Sequence, residues 1–167
     1  MELIASADDR WGIGKDGQLL FTVPEDMRRF NGLTTGHIVV MGKGTCLSLP
    51  RQKPLPNRIN IVLSHDPSFT PEGFVVLPGL AELQEWLKAN AAGKKVFVIG
   101  GESLYRQLLP CCDRAHITRF FSCFPADRRL PDLDKDPAWR LAATSARYPH
   151  QGVYYQFRTY VRKDSNG

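Results

Sequence analysis

An α/β fold is predicted: a single domain built on a mixed, mostly parallel twisted sheet of about eight strands, with flanking helices and an antiparallel C-terminal edge. Three observations predict it. Short apolar runs alternate with helical signals as far as Pro110, which implies parallel strands joined by right-handed crossovers. Beyond Ala115, three strand-like runs follow one another with no helical pattern between them. The length of 167 residues, with 43% hydrophobic and 23% charged, suits one hydrophobic core, and neither a linker nor an internal repeat divides it. The domain is placed at residues 1–163, and residues 164–167 form a flexible C-terminal tail.

The elements follow in order. Leu3-Ile4-Ala5-Ser6-Ala7 is a first strand, small and apolar enough to be buried on both faces. From Asp9 to Thr22 the chain carries Gly12, Gly14 and Gly17, and a glycine-rich loop of this length in a compact domain is usually functional. Pro24 opens a helix, with Glu25 and Asp26 in the first turn where the dipole favours acids. Met27 and Phe30 form its apolar stripe, and Asp26, four residues before Phe30, shares that face. Ile38 to Met41 is a second strand, turned by Gly42-Lys43-Gly44-Thr45 into a short helix ending near Pro50. Arg58 to Ser64 and Gly73 to Leu77 are the third and fourth strands, and Leu80, Leu83 and Leu87 mark a helix ending near Asn90. Val96 to Ile99 is a fifth strand, leading through Gly100-Gly101-Glu102 into a helix over Leu104, Tyr105 and Leu108. The strands Ala115–Thr118, Leu141–Arg147 and Tyr154–Arg162 complete the sheet.

Composition excludes several function classes. No apolar run approaches the roughly 20 residues of a membrane span, and the opening Met1-Glu2-Leu3-Ile4 lacks the basic start and apolar run of a secretory signal, so the cytoplasm is expected. Cys46, Cys111, Cys112 and Cys123 form no Cys-x-x-Cys pair and suit free thiols; the four histidines lack zinc-ligand spacing, so no metal is expected. Residues 1–113 carry 12 basic and 12 acidic side chains, so the whole net charge of +5 resides in the last 54 residues. These basic residues form no run and no interleaving with aromatics, which argues for a solvated surface and against nucleic acid. A modest positive field suits a small polyanionic ligand instead.

Two strand-to-helix turns carry glycine, Gly42 to Thr45 and Gly100-Gly101, and exposed N–H groups at such turns cradle phosphates. Neither is Gly-x-Gly-x-x-Gly, so the usual dinucleotide fingerprint is absent; two such turns in one small sheet suggest a ligand with two phosphate regions. Asp26, facing apolar surroundings, would have its pKa raised by burial; spacing alone also allows a plain first-turn acid.

Five segments in this order, Ile13-Gly14-Lys15-Asp16-Gly17, Pro24 to Phe30, Val40 to Thr45, Pro54 to Ser64 and Val96 to Tyr105, make the chain resemble dihydrofolate reductase from Leu3 to about Arg162. The resemblance implies hydride transfer from NADPH to C6 of 7,8-dihydrofolate with protonation at N5, in a monomer that antifolates also bind. Asp26 then matches the family's acid in the pterin pocket. Met27, Phe30, Leu49, Leu55 and Ile99 match the apolar walls, with Ile4, Ala5 and Thr118 at the floor. Arg58 matches the arginine that pairs with the α-carboxylate of the glutamate tail. For the cofactor, the resemblance points to Gly42, Lys43, Gly44, Thr45, Gly100, Gly101, Glu102, Ser103, Leu104 and Tyr105 around the pyrophosphate turns. Leu63, Ser64 and His65 fall where the family holds the adenosine 2'-phosphate, with Lys43 as a nearby cation, while Ala5 and Ile99 also face the cofactor.

The resemblance also implies that Ile13, Gly14 and Leu19 belong to a mobile loop that closes over nicotinamide, and that Asp127 sits where a second loop braces it. The chain departs from many bacterial members in having Leu20-Phe21 in place of Pro-Trp; Phe21 has no indole N–H to hold a water near Asp26. A pteridine or riboflavin-pathway reductase on the same fold, or a non-catalytic NADPH-binding protein, stays open at this point. Asp26 and Arg58 together weigh against the former.

Overall fold

The computed structural model describes residues 1–163; the expected tail at 164–167 lies outside the described residues. The strands are β1 (Glu2–Ala7), β2 (Gly12–Lys15), β3 (Gln18–Leu19), β4 (Ile38–Gly42), β5 (Ile59–Leu63), β6 (Val75–Leu77), β7 (Val96–Val98), β8 (Arg114–Phe120), β9 (Arg128–Arg129), β10 (Trp139–His150) and β11 (Val153–Arg162). The helices are α1 (Pro24–Thr34), α2 (Lys43–Ser48), α3 (Leu80–Asn90) and α4 (Glu102–Leu108).

An eight-stranded sheet runs β10-β11-β8-β1-β7-β4-β5-β6, parallel from β8 to β6 and antiparallel at β8–β11 and β11–β10. This is the expected α/β sheet with its antiparallel C-terminal edge. The central strands lack polar alternation because both their faces are covered. Leu3, Ile38, Val40, Ile61 and Val98 join one core with Leu83 of α3 and Leu104 and Leu108 of α4. Their neighbours Ile4, Val39, Met41, Val62 and Phe97 join a second core with Cys46 of α2 and with Phe30 and Leu33 of α1. The period of two thus sends successive residues of one strand to opposite layers.

Two expectations need correction. The segment from Asp9 to Thr22 is not an irregular loop: β2 and β3 form a hairpin, and β2 also pairs with β9 in a separate three-stranded sheet. Asp8 organises its base. The Asp8 side chain, only 1% exposed, accepts N–H bonds from Arg10 at 2.9 Å, Gly12 at 2.8 Å and Phe124 at 2.9 Å. A Cβ on Gly12 would lie 2.8 Å from that of Ala126, so glycine is required for this close approach. Met27 does not belong to the buried stripe of α1; it is 55% exposed, and Phe30, Leu33 and Thr34 take that role. The short helix after Gly42 ends at Ser48, close to the expected Pro50, and Pro50–Gln52 adds a 3-10 turn.

Part of the positive charge of the last 54 residues is spent on packing. Arg119 lies 4.4 Å from the Trp11 ring and bonds Asp134 at 3.2 Å; Arg147 covers Phe121 at 3.9 Å; Arg162 bonds the carbonyls of Cys112 and Leu109 at 2.8 and 2.7 Å. Among the described residues no helix is long and apolar enough to cross a membrane.

Candidate active site

Asp26 lies in the first turn of α1, where Pro24 sets the backbone angle and the amide N–H of Asp26 closes on the Val23 carbonyl at 3.0 Å. Its carboxylate turns toward β8, and the Thr118 hydroxyl donates to Oδ1 at 2.5 Å across 92 positions of sequence. Burial raises the Asp26 pKa above its ordinary value, outweighing the opposing Thr118 hydrogen bond and the charge of Arg29. The Arg29 guanidinium is itself 4.6 Å from the Phe157 ring. Tyr105 cannot substitute as the acid: its hydroxyl donates to the Ile4 carbonyl at 2.8 Å, and burial, followed by the charge of Asp26, drives its pKa upward.

Beside this carboxylate, Ile4, Phe30, Leu49, Leu55 and Ile99 meet in one apolar cluster. Met27 stands exposed on the same helix, and Ala5 and Thr118 lie on adjacent paired strands. Arg58 closes the far end. Its Nη1 donates to Asn31 at 3.1 Å and Thr34 at 3.0 Å, its Nε donates to the Pro56 carbonyl at 3.0 Å, and the guanidinium lies 5.8 Å from the Phe30 ring. Among the described residues no hydrogen bond engages Nη2, which leaves a held, partly desolvated fork with a free donor. A cavity of about 310 Å³ adjoins it, lined by Gly36, His37, Asn57, Arg58, Ile59 and Lys94.

Asn60 was missed by sequence reasoning. Buried within β5, it accepts from the Leu55 N–H at 3.0 Å and donates to the Leu55 and Arg58 carbonyls at 3.0 and 3.1 Å, fixing the segment that carries both site residues. A polar residue inside the apolar run Ile59 to Leu63 was the available signal.

The two glycine turns come together. The Gly42 N–H donates to the Gly100 carbonyl at 2.8 Å, and the Gly100–Gly101 peptide is cis. Gly100 has a φ of +127°, and a Cβ there would meet Thr45 Oγ1 and the Tyr105 hydroxyl at 3.3 Å each, so only glycine leaves this surface bare. Gly42 and Gly101 cap α2 and α4 without any side-chain hydrogen bond, leaving backbone N–H groups for an anion. The cradle therefore fits a dinucleotide pyrophosphate. The Glu102 carboxylate is engaged within the protein, accepting from the Arg129 N–H at 3.0 Å and lying 3.7 Å from Arg106. Ser103 follows it on α4, while Leu104 and Tyr105 are buried beneath the turn.

Beyond β5, Ser64 and His65 line a cavity of about 250 Å³ together with Asp66, Phe69 and Leu77. Leu63 packs beneath, against the first core. Lys43 is ion-paired to Asp66 at 3.0 Å. On the hairpin, Ile13 packs against the core while Leu19 is 59% exposed. The Asp127 N–H donates to the Gly14 carbonyl at 2.9 Å, and its carboxylate accepts from the Asp16 N–H at 3.0 Å. Phe21 turns instead to a satellite aromatic cluster, with ring centroids 5.0 Å from Phe120 and 5.7 Å from Phe124.

The family model described as dihydrofolate reductase matches residues 1–162. The chain belongs to the dihydrofolate reductase family. It is 35% identical over 156 residues to dihydrofolate reductase of Bacillus subtilis, covering 92% of this chain and 89% of that one. It is 46% identical over 107 residues to dihydrofolate reductase of Mycobacterium leprae, covering 64% of this chain and 63% of the relative. The solved Enterococcus faecalis dihydrofolate reductase complexed with NADP(H) and RAB-propyl superposes with a TM-score of 0.84 at 30% identity, over 98% of this chain and 96% of that one. Membership of the dihydrofolate reductase family makes the chain an oxidoreductase, and decides against the riboflavin-pathway alternative.

Proposed function

We propose that this chain reduces 7,8-dihydrofolate to tetrahydrofolate with NADPH, with Asp26 as the group that secures the proton at N5. The observation that carries the reading is the half-buried Asp26 carboxylate, bonded by Thr118 and set against the apolar cluster of Phe30, Leu49, Leu55 and Ile99. Such a slot suits a flat heteroaromatic ring with amide-like N–H donors at one edge. Bound NADPH would supply the hydride.

The chain's own residues do the rest. Asp26 accepts paired hydrogen bonds from the pterin's 2-amino and N3 groups. Its negative charge, in a low-dielectric setting, favours the substrate cation protonated at N5, whose C=N bond is the better electrophile. Thr118 holds the carboxylate in one orientation, and Arg29 moderates the cost of burying it. Arg58 takes the glutamate-tail carboxylate with its free Nη2, and Asn60 keeps Arg58 and Leu55 in register with the ring site. Gly42, Gly100 and Gly101 present bare backbone to the pyrophosphate, Lys43, Ser64 and His65 face the adenosine end, and the hairpin of Gly14 and Leu19 covers the nicotinamide side.

The test is oxidation of NADPH followed by absorbance, with and without dihydrofolate, and again with an antifolate. Turnover that requires dihydrofolate and is abolished by the antifolate is expected. Absence of turnover by folded protein that still binds NADPH would favour a non-catalytic cofactor-binding role.

A further inference from the structure

Lys43 is the cation that the turn after β4 offers to the adenosine end of the cofactor, and the fold does not leave it free. Its Nζ lies 3.0 Å from Asp66 Oδ2 and 4.9 Å from the centroid of the Phe69 ring. Asp66 is itself anchored. Its Oδ1 accepts from the Ser68 amide at 2.9 Å and the Ser68 hydroxyl at 2.6 Å, and its own N–H donates to Ser64 Oγ at 3.2 Å. The hydrogen bonds from Ser68, ahead of the bond from Lys43, hold the carboxyl down at about 2, so it is an anion throughout the working range. Ser64, His65 and Asp66 line one wall of the same cavity of about 250 Å³.

Two ligands therefore compete for one ammonium. A 2'-phosphate, close to a dianion at neutral pH, would meet a fixed carboxylate next to the lysine expected to hold it, and like charges at such separations oppose each other. A free 2'-hydroxyl meets no such opposition, because a carboxylate accepts a hydrogen bond from it. We propose that Asp66 is a specificity-determining residue that lowers this enzyme's preference for NADPH over NADH, by holding Lys43 and by placing a negative charge at the 2'-phosphate position. The inference rests on the NADPH reading above and adds a residue acting against it.

The experiment is calorimetric titration of NADPH and of NADH into the wild-type protein and into Asp66→Asn, with no substrate present. Asparagine keeps the Oδ1 acceptor for Ser68, while an NH2 donor replaces the charged Oδ2 that Lys43 bonds, so both the charge and the hold on Lys43 are removed. The ratio of the NADH to the NADPH dissociation constant should rise roughly two- to fivefold, the scale of a partly exposed charge contact, and the change should come from tighter NADPH. Adding Lys43→Met should cancel the gain. Should Asp66→Asn fail to fold, Asp66→Ser carries the same expectation. An unchanged or smaller ratio, equal tightening of both cofactors, or a gain that survives Lys43→Met overturns the role of Asp66 while leaving the NADPH reading intact. Wild-type protein that binds neither dinucleotide overturns both.

Discussion

Asp26→Asn removes one negative charge while keeping the shape of the side chain, and its Oδ1 can still accept the Thr118 hydroxyl that lies 2.5 Å from Asp26 Oδ1. Stability and activity should move in opposite directions. Burial lifts the Asp26 pKa above 3.8, so between that value and the raised one the folded state holds a proton that the unfolded state has lost. The stabilising contribution is therefore fully present below about pH 4 and is lost as pH rises through the folded pKa. At neutral pH the wild type bears the cost of a desolvated charge and the asparagine variant does not. The variant should melt at a higher temperature near pH 7, by about 2–4 °C for each kcal/mol relieved in a chain of this size, and the gap should close in acid.

Catalysis should suffer from the same change. Positioned proton delivery contributes about 10²- to 10⁴-fold, or roughly 2.7 to 5.4 kcal/mol of barrier. Tyr105 cannot replace the lost charge, because its hydroxyl is spent on the Ile4 carbonyl. Single-turnover hydride transfer at neutral pH should fall by that range and recover in part as pH drops and the substrate protonates in solution. Cofactor affinity should be nearly unchanged. Stopped-flow measurement of NADPH oxidation across pH, paired with thermal melts, reads both arms. Hydride transfer within about threefold of wild type at neutral pH, or a lowered melting temperature there, would refute the role assigned to Asp26.

Three further outcomes are expected. Arg58→Lys breaks the fork that bonds Asn31, Thr34 and Pro56, and should raise KM for dihydrofolate roughly tenfold while leaving a pterin without the glutamate tail little affected; steady-state kinetics with both substrates decide it. Gly100→Ala puts a Cβ at a φ of +127° beside Thr45 and Tyr105, and should cost about 1–3 kcal/mol of stability together with loss of NADPH affinity, checked by denaturant unfolding and titration. Asp127→Ala removes the acceptor for the Asp16 N–H, so hydrogen exchange at Asp16 should speed up and turnover should fall, with global stability changed by only about 1 kcal/mol.

Local rules fixed a large part of this protein. Strands buried on both faces show as unbroken apolar runs, such as Ile38 to Met41 and Val96 to Ile99, and their alternation with helices predicts a parallel sheet before any contact is known. Glycines show where backbone must lie bare, as at Gly42 and Gly100, and a 3.6-residue period put Asp26 on the face of Phe30. What depended on folding is every contact between distant segments. Nothing in spacing says that Thr118 will reach Asp26, that β9 will pair with the hairpin of β2, or that the buried Asp8 will hold Phe124. Met27 looked like core because its period is right, but no packed layer covers the helix there and the side chain is left exposed. Likewise Lys43 looked like a free cation until the turn after β5 brought Asp66 to it. Periodicity and dihedral preference are properties of a few neighbouring residues; sheet order and loop closure bring remote groups together, and only tertiary packing decides which polar atoms meet.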